Sequence, residues 1–214
     1  SPVNNTGKFN TAIGDLTLED FTSGSNNVAL GFSALTNTTV GNFNSGIGIN
    51  TLLNNVANSR STAVGFGAME RADNRVAGRD TYNTAVGVFA LRGSSTAALN
   101  TGLNNTAVGD LALADNTSGS GNTALGKDAL QSNLAGSNNT VVGYQAGSAN
   151  TSGSANIFIG YQAGSNSTTG SNNLVIENSN SGQPLIRGDF ANDKLGINRT
   201  FADLNARSET FQVT

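Results

Sequence analysis

The sequence returns ten times in 214 residues to one five-residue phrase, Asn-Thr-Ala-Val-Gly or a variant of it. Aligned on the closing Gly, the copies end at Gly14, Gly31, Gly48, Gly65, Gly87, Gly109, Gly126, Gly143 and Gly160, with Glu177 in the tenth place. Successive copies lie 17 residues apart, except for two steps of 22 on either side of Gly87. A chain built on a short fixed period folds one unit per repeat, and each unit buries its apolar surface only against the next. Seventeen residues are too few for a helical hairpin, whose repeats take about 30 or more. They suit one coil of a parallel β-roll or β-solenoid, read here as two short strands and two turns. The expected fold is therefore all-β: about ten coils, two of them of 22 residues, stacked at roughly 4.8 Å into a rod on the order of 45 Å long.

Counted from the anchor Gly as position 0, each slot has a restricted chemistry. Position −1 is always aliphatic: Ile13, Leu30, Ile47, Val64, Val86, Val108, Leu125, Val142, Ile159 and Ile176. Position −2 is usually Ala and grows to Val141, Phe158 and Val175 in the last three copies. Position −4 is Asn10, Asn27, Asn44, Asn83, Asn105, Asn122, Asn139, Asn156 and Asn173, with Ser61 the exception. Stacked in register, these amides form a structural ladder, each side chain bonding the next. Position −7 is Gly in eight copies, and with the anchor Gly it marks places expected to need φ > 0. After the anchor a small residue is often followed by Leu, as in Ala34-Leu35 and Ala112-Leu113.

Side chains alternate across a strand, so the aliphatic and Thr slots share one face, and Asn, Ala and Gly share the other. One face fills the narrow interior. The small, flat Ala/Gly surface is the expected contact between neighbouring chains. A single coil buries little apolar area against an ordering cost of about 1.5 kcal/mol per residue. An obligate oligomer follows, and the expected form is an intertwined or side-by-side homotrimer. The periodic part runs over residues 1–182. Residues 183–214 do not repeat and read as a β-rich connector or cap, with apolar runs at Leu185–Phe190, Lys194–Ile197 and Phe211–Val213. The absence of an initial Met and the ending on Val213-Thr214 suggest a piece of a longer fibrous protein.

Composition narrows the chemistry. The chain has no Cys, no His and no Trp, and charged residues make up 12%. Disulfides, thiol chemistry, His-based catalysis and Cys/His metal sites are thereby excluded. No enzyme, cofactor or metal is expected. The net charge of −3 argues against nucleic acid as a partner. No apolar run approaches the ~20 residues of a membrane span, so no membrane insertion is expected of these residues.

The recurring Asn-Thr/Ser/Val-Ala-Val/Ile/Leu-Gly phrase resembles the head repeats of trimeric autotransporter adhesins, over about residues 7–182. The repeat followed by Arg187-Gly188-Asp189-Phe190 and Leu195-Gly196-Ile197 is similar to tail-fibre and tailspike-like proteins of phages and contractile injection systems. These resemblances imply a trimeric β-roll displayed outside a cell, on a virion or on an injection particle, with a host cell-surface glycan or protein as receptor. The two 22-residue coils are the breaks in regularity, and five of the 11 basic residues fall between Arg60 and Arg92. Loops that bulge from a rigid scaffold carry binding, and Arg forks onto carboxylates and phosphates. Arg71, Arg75, Arg79 and Arg92 are accordingly the candidate receptor-binding residues. The tripeptide Arg187-Gly188-Asp189 spells an integrin ligand but reads as part of a strand or turn. Asp15, Asp110 and Lys127 share one slot, and a stacked acid pair there is the one candidate for a polysaccharide-cleaving spike. The Thr column at −3 supports an alternative reading as an ice-binding solenoid.

Overall fold

We describe residues 6–71, 74–180 and 184–197 of a computed structural model. The chain winds into a parallel β-solenoid of about ten turns followed by an antiparallel hairpin, all in one twelve-stranded sheet whose strand order follows the sequence. The solenoid strands are β1 (Thr11–Ile13), β2 (Val28–Leu30), β3 (Ser45–Ile47), β4 (Thr62–Val64), β5 (Thr84–Val86), β6 (Thr106–Val108), β7 (Thr123–Leu125), β8 (Thr140–Val142), β9 (Ile157–Ile159) and β10 (Asn173–Ile176). Then come β11 (Ile186–Asp189) and β12 (Lys194–Ile197). The parallel register is the register of the repeat. Thr11 pairs with Val28, Thr62 with Thr84 and Thr84 with Thr106, so the 22-residue steps keep the strands aligned and loop their extra residues out elsewhere. Among the described residues there is no α-helix, and a single 3-10 turn covers Ala97–Leu99.

Each coil contains one strand of three or four residues, not the two expected. The remainder is a succession of turns. Four positions per coil carry positive φ: −5, 0, +2 and +4, as at Asn26, Gly31, Ser33 and Leu35. Bends at such close spacing leave no room for a second strand. Their carbonyls and amides bond instead to the coils on either side, as in Leu35 N–H to Thr51 O at 2.9 Å and Asn37 N–H to Leu53 O at 3.2 Å.

The two Gly columns serve different purposes. The anchor Gly has φ of +116 to +138, outside the conformations of L-residues, as the sequence predicts. The −7 column does not have positive φ. There the requirement is space: a Cβ on Gly24 would lie 2.1 Å from the Gly41 carbonyl oxygen, and one on Gly119 2.3 Å from that of Gly136.

The two strand faces are also assigned the other way round from the simplest expectation. The interior holds the Ala and Asn slots: Ala29, Ala63, Ala85, Ala107 and Ala124 are fully buried, as are Asn27, Asn44, Asn105 and Asn122. Across from them the +3 Ala and +4 Leu fill the coil, with Leu35, Leu52, Leu113 and Leu130 also fully buried. The Ala/Gly surface is therefore core rather than a contact for neighbouring chains. The −1 aliphatics and the Thr column face outward. Size decides this, because a 17-residue coil with a Leu on one wall has room for only a methyl on the other. The slot grows to Val141, Phe158 and Val175 in the last three copies, and the largest of these confirms the constraint. In the ninth coil Phe158 takes the Ala slot, and the Leu slots around it are Gly147 and Gly164, where a Cβ would come within 2.8 Å and 2.6 Å of the Phe158 ring.

That compensation is testable. Phe158→Ala is expected to cost about 3–4 kcal/mol through the cavity it leaves. Adding Gly164→Leu should recover most of it, since Leu occupies the same slot with φ near 50 in other coils, as at Leu52 and Leu130. Equilibrium denaturant unfolding of the single and double variants reads the difference. Failure of the second change to restore stability would contradict the volume argument.

Candidate functional site: the ladders, the outward face and the expanded coils

The buried Asn column is the structural centre. Each Oδ1 accepts the backbone N–H of the Asn one coil on, as in Asn105 Oδ1 from Asn122 N at 2.9 Å and Asn122 Oδ1 from Asn139 N at 3.0 Å. Most Nδ2 groups donate to the carbonyl at −7 of the following coil, as in Asn105 to Gly119 at 2.9 Å, Asn122 to Gly136 at 2.8 Å and Asn44 to Asn58 at 2.8 Å. Direct amide-to-amide bonds accompany this at Asn27–Asn10, Asn139–Asn122 and Asn173–Asn156. The ladder is thus mainly side chain to backbone, where the sequence suggested side chain to side chain. At Ser61 it changes partners: Ser61 N still bonds Asn44 Oδ1, but the Ser61 hydroxyl bonds the Thr81 hydroxyl at 2.7 Å.

Two further ladders escaped the sequence reading. At +7 a second buried amide column runs through Asn116, Asn133 and Asn150, with Asn133 Nδ2 to Asn116 Oδ1 at 2.7 Å. At −6 a hydroxyl column runs through Ser120, Ser137, Ser154 and Ser171, each Oγ accepting the backbone N–H of the preceding coil at 2.9–3.0 Å. Both are periodic in the sequence. They are obscured because other residues fill the same slots in other coils.

The outward face presents four side-by-side columns, −5, −3, −1 and +1. The −1 column is unbroken and aliphatic, and its most exposed members range from Val86 at 37% to Ile13 at 59%. Phe32, Ile49, Phe66 and Val88 flank it at +1, followed after Asp110 and Lys127 by Tyr144 and Tyr161. Phe66 and Phe89 meet edge to face at 5.1 Å, and Tyr144 stacks on Tyr161 at 5.4 Å. The stripe continues across the hairpin, because Ile176 pairs with Ile186 and Ile186 with Ile197. On the −5 side the Arg60 guanidinium lies 5.0 Å from the Phe43 ring and 5.7 Å from that of Tyr82, and pairs with Asp80 at 3.0 Å.

The two expanded coils keep the regular bonding up to +6, with Arg71 N to Arg92 O and Gly93 N to Ala114 O, and take their extra residues after it. Arg71 N bonds the Arg92 carbonyl, so these two candidate residues sit on adjacent rungs. Arg92 is engaged within the chain, 3.4 Å from Asp115 and 5.3 Å from the Phe89 ring centre. Arg75 is exposed beside Val76, which is 84% exposed. Arg79 is partly buried, and its carbonyl accepts Ser59 N–H. Ala72 and Asp73 of the first insertion lie outside the described residues.

The remaining candidates are bound into local structure. Arg187-Gly188-Asp189 lies in β11, paired on both sides. Arg187 is half-buried, and that burial lowers its pKa. The Asp189 carboxylate accepts Ala191 N–H and Asn192 Nδ2. Asp110 Oδ1 accepts Val88 N–H at 3.0 Å. Lys127 bonds Asp128 at 2.8 Å, which raises the pKa of its ammonium. Among the described residues no group of three or more acidic side chains could hold a metal ion, and no helix is long and apolar enough to cross a membrane. No protein family, curated protein or solved structure matches the chain.

The ladder makes a specific prediction about charge. Asn105→Ala orphans the buried Asn122 N–H and should cost about 2–3 kcal/mol. Asn105→Asp keeps that acceptor but sets a carboxylate against the Gly119 carbonyl in the core. Burial raises the pKa of such a group above the ordinary ~3.9 of the unfolded chain. Between the two values the folded state binds the extra proton, so stability of this variant should rise as pH falls from 7. Thermal melts at several pH values check the sign. A variant that instead loses stability relative to the native chain as the pH falls would refute the buried ladder geometry.

Proposed function

We propose that the chain is a structural and adhesive fibre module, a homotrimeric β-solenoid displayed on a cell surface, virion or injection particle and directed at a cell-surface glycan or protein. The observation that carries this reading is the unbroken aliphatic column exposed along the sheet, flanked at +1 by Phe32, Ile49, Phe66 and Val88. Isolated exposed apolar residues are ordinary, but a contiguous patch of several hundred Å² marks an interaction surface. Ten rungs at about 4.8 Å, with outward columns spread over some seven extended residues, give a face on the order of 900 Å². In a three-fold ring each copy gives about half of this face to each of two neighbours, and the trimer as a whole covers about 2,700 Å², more than the ~1,600 Å² of a standard pairwise interface. Each copy offers a central column and two unlike flanks, −5 and +1. Three copies around an axis parallel to the rod bring the unlike flanks together and close the ring.

The adhesive part is assigned to the bulge of the expanded coils, whose extra residues follow +6 and so belong to none of the four outward columns. It carries the exposed Arg75, Val76 and Leu99. A scaffold whose other coils are locked by ladders on both sides leaves this bulge as the place where sequence can vary without breaking register.

One observation favours a second reading. Thr62, Thr84, Thr106, Thr123 and Thr140 stand in register on five consecutive rungs of the outward face. Such a flat Thr array is what an ice-binding solenoid presents. The two readings use the same face differently, since ice needs it free and an oligomer covers it.

Light scattering separates them. The fibre reading expects a species of three times 21.7 kDa and no thermal hysteresis. A folded monomer that depresses the freezing point would establish the alternative. Lys at Val86 and Leu125, on the covered column, should reduce the trimer to monomers at micromolar concentration while the β circular dichroism persists. Removal of five residues from each expanded coil should leave the trimer intact and abolish retention on a cell-surface glycan panel. Unchanged retention would take the binding site away from the bulge.

A further inference from the structure

Three of the solenoid's side-chain columns stop at its C-terminal end, and they stop around one cavity. The main amide ladder closes on Asn173, which donates through N–H and through Nδ2 to Asn156 Oδ1, both at 3.0 Å. No Asn rung follows, because β11 runs antiparallel to β10 and sets Asp189 beside Asn173. Among the described residues no donor meets Asn173 Oδ1. A short amide column at +2 closes on Gln162, whose Nε2 donates to Gln145 Oε1 at 2.8 Å, so that its own Oε1 is the end of the column. The +7 column of Asn116, Asn133 and Asn150 is followed on the next rung by Ser167. Asn173, Gln162 and Ser167 line a single cavity of about 330 Å³, with Phe158 and Val175 on its apolar side.

β11 adds a charge to this cavity. Arg187 pairs with Val175, and Val175 with Phe158. Residues directly opposite each other share one face of a sheet. Arg187 therefore carries the interior column of Val141, Phe158 and Val175 one strand further, with a guanidinium in place of an apolar group, and it lines the cavity. Half-burial deprives that charge of water, and a desolvated cation attracts an anion more strongly than one in bulk solvent. Arg187 has a contact within the chain as well, but a guanidinium has five N–H donors and takes a carboxylate with two of them. Among the described residues that line the cavity none is acidic. The neighbouring acids are engaged elsewhere. Glu177 accepts Asn178 N–H and Leu185 N–H at 2.6 and 2.9 Å, and Asp189 holds Ala191 and Asn192.

The chemistry of the lining defines its complement. The forked cation asks for one anionic group. Asn173 Oδ1 and Gln162 Oε1 ask for donors, and the hydroxyls of Ser165 and Ser167 serve in either role. A phosphate brings mainly acceptors and would set them against the two amide oxygens. A metal ion would meet the charge of Arg187. A sugar ring with one carboxylate supplies an anion for the guanidinium, hydroxyl donors for the amide oxygens and an apolar face for Phe158 and Val175.

We propose that this C-terminal cavity binds a carboxylate-bearing sugar, with Arg187 on the carboxylate and with Asn173 and Gln162 accepting from ring hydroxyls. The site lies several coils along the rod from the arginine bulge and needs neither the bulge nor the trimer. Amides that hold register inside the shaft become recognition groups where no further coil takes up their oxygens.

Titration calorimetry and amide-resolved NMR on the whole chain test this, with D-glucuronate as the probe and D-glucose and inorganic phosphate as controls. Glucuronate is expected to bind with a Kd on the order of 1 mM, and roughly tenfold or more tighter than either control. Backbone shifts should gather at Gln162, Ser165, Ser167, Asn173 and Arg187. Arg187→Gln should bring glucuronate down to the level of glucose, whereas Lys8→Gln, which removes a charge at the other end of the rod, should change nothing. Absence of binding at tens of millimolar, equal affinity for glucose or phosphate, or shifts confined to the expanded coils would each overturn the proposal. So would a crystal structure in which the chain's own C-terminal residues fill the cavity. If Arg187→Gln fails to fold, the ligand ranking and the shift map of the native chain still decide. None of these outcomes depends on whether the chain is a monomer or a trimer.

Discussion

The hydrogen bond from an Asn Oδ1 to the backbone N–H of the Asn one coil on is the interaction on which the rest of this fold depends. It fixes three things together. It sets the axial step, because the bond closes only when successive coils lie one strand spacing apart. It sets the phase, because the same side chain reaches forward through Nδ2 to the −7 Gly carbonyl of the following coil, as from Asn122 to Gly136. It also fixes which face of the strand is interior, since an amide with all its bonds inside the coil carries the neighbouring Ala inward with it. A coil turned inside out would bury the aliphatics and leave the amides in water, where each bond is worth little net free energy.

Once the amide is inside, the cross-section is fixed, and volume becomes the next constraint. Ala faces Leu in most coils, and Phe158 faces Gly147 and Gly164 in the ninth. The backbone carbonyls of successive coils then approach so closely that the −7 position admits no Cβ. Gly in that column follows from packing, whereas Gly at the anchor follows from φ. Two columns that look alike in sequence answer to different physics.

Period, register and ladder were legible in the sequence because each is a repeated identity at a fixed spacing. Even the two 22-residue steps could be placed, and the strands keep register across them. The second strand was misread because the +2 and +4 residues, such as Ser33 and Leu35, give no sign in sequence that they adopt left-handed φ. The orientation of the faces was misread for a different reason. Burying the larger aliphatic is the better choice for an isolated strand, and only the Leu on the opposite wall reverses it. That contact joins residues six apart around a coil whose curvature is not written in any one of them. The +7 and −6 ladders were hidden by substitution, since Thr38 and Ala72 stand at +7 and Asn42 at −6. Of the four candidate Arg residues, the sequence located the bulge, but it could not separate Arg92, held by Asp115 and Phe89, from Arg75 at the exposed edge.

The same economy that hides the aliphatics from the core gives the rod its outer surface. A coil that buries only Ala, Leu and amides gains little from apolar transfer within one chain. Its most apolar residues are left in water on one flat side. Surface of that kind is costly unless something covers it, and pairing at the outer strands of the sheet from β1 to β12 would leave this flat side uncovered. The uniform −1 column suits the face-to-face packing proposed above, since every rung offers a side chain of nearly the same size at the same height. The narrow interior and the sticky exterior are one property of a 17-residue coil. A longer coil could take its aliphatics inside and stand alone. This one is too small to do so, and its aliphatics stand on the outer face.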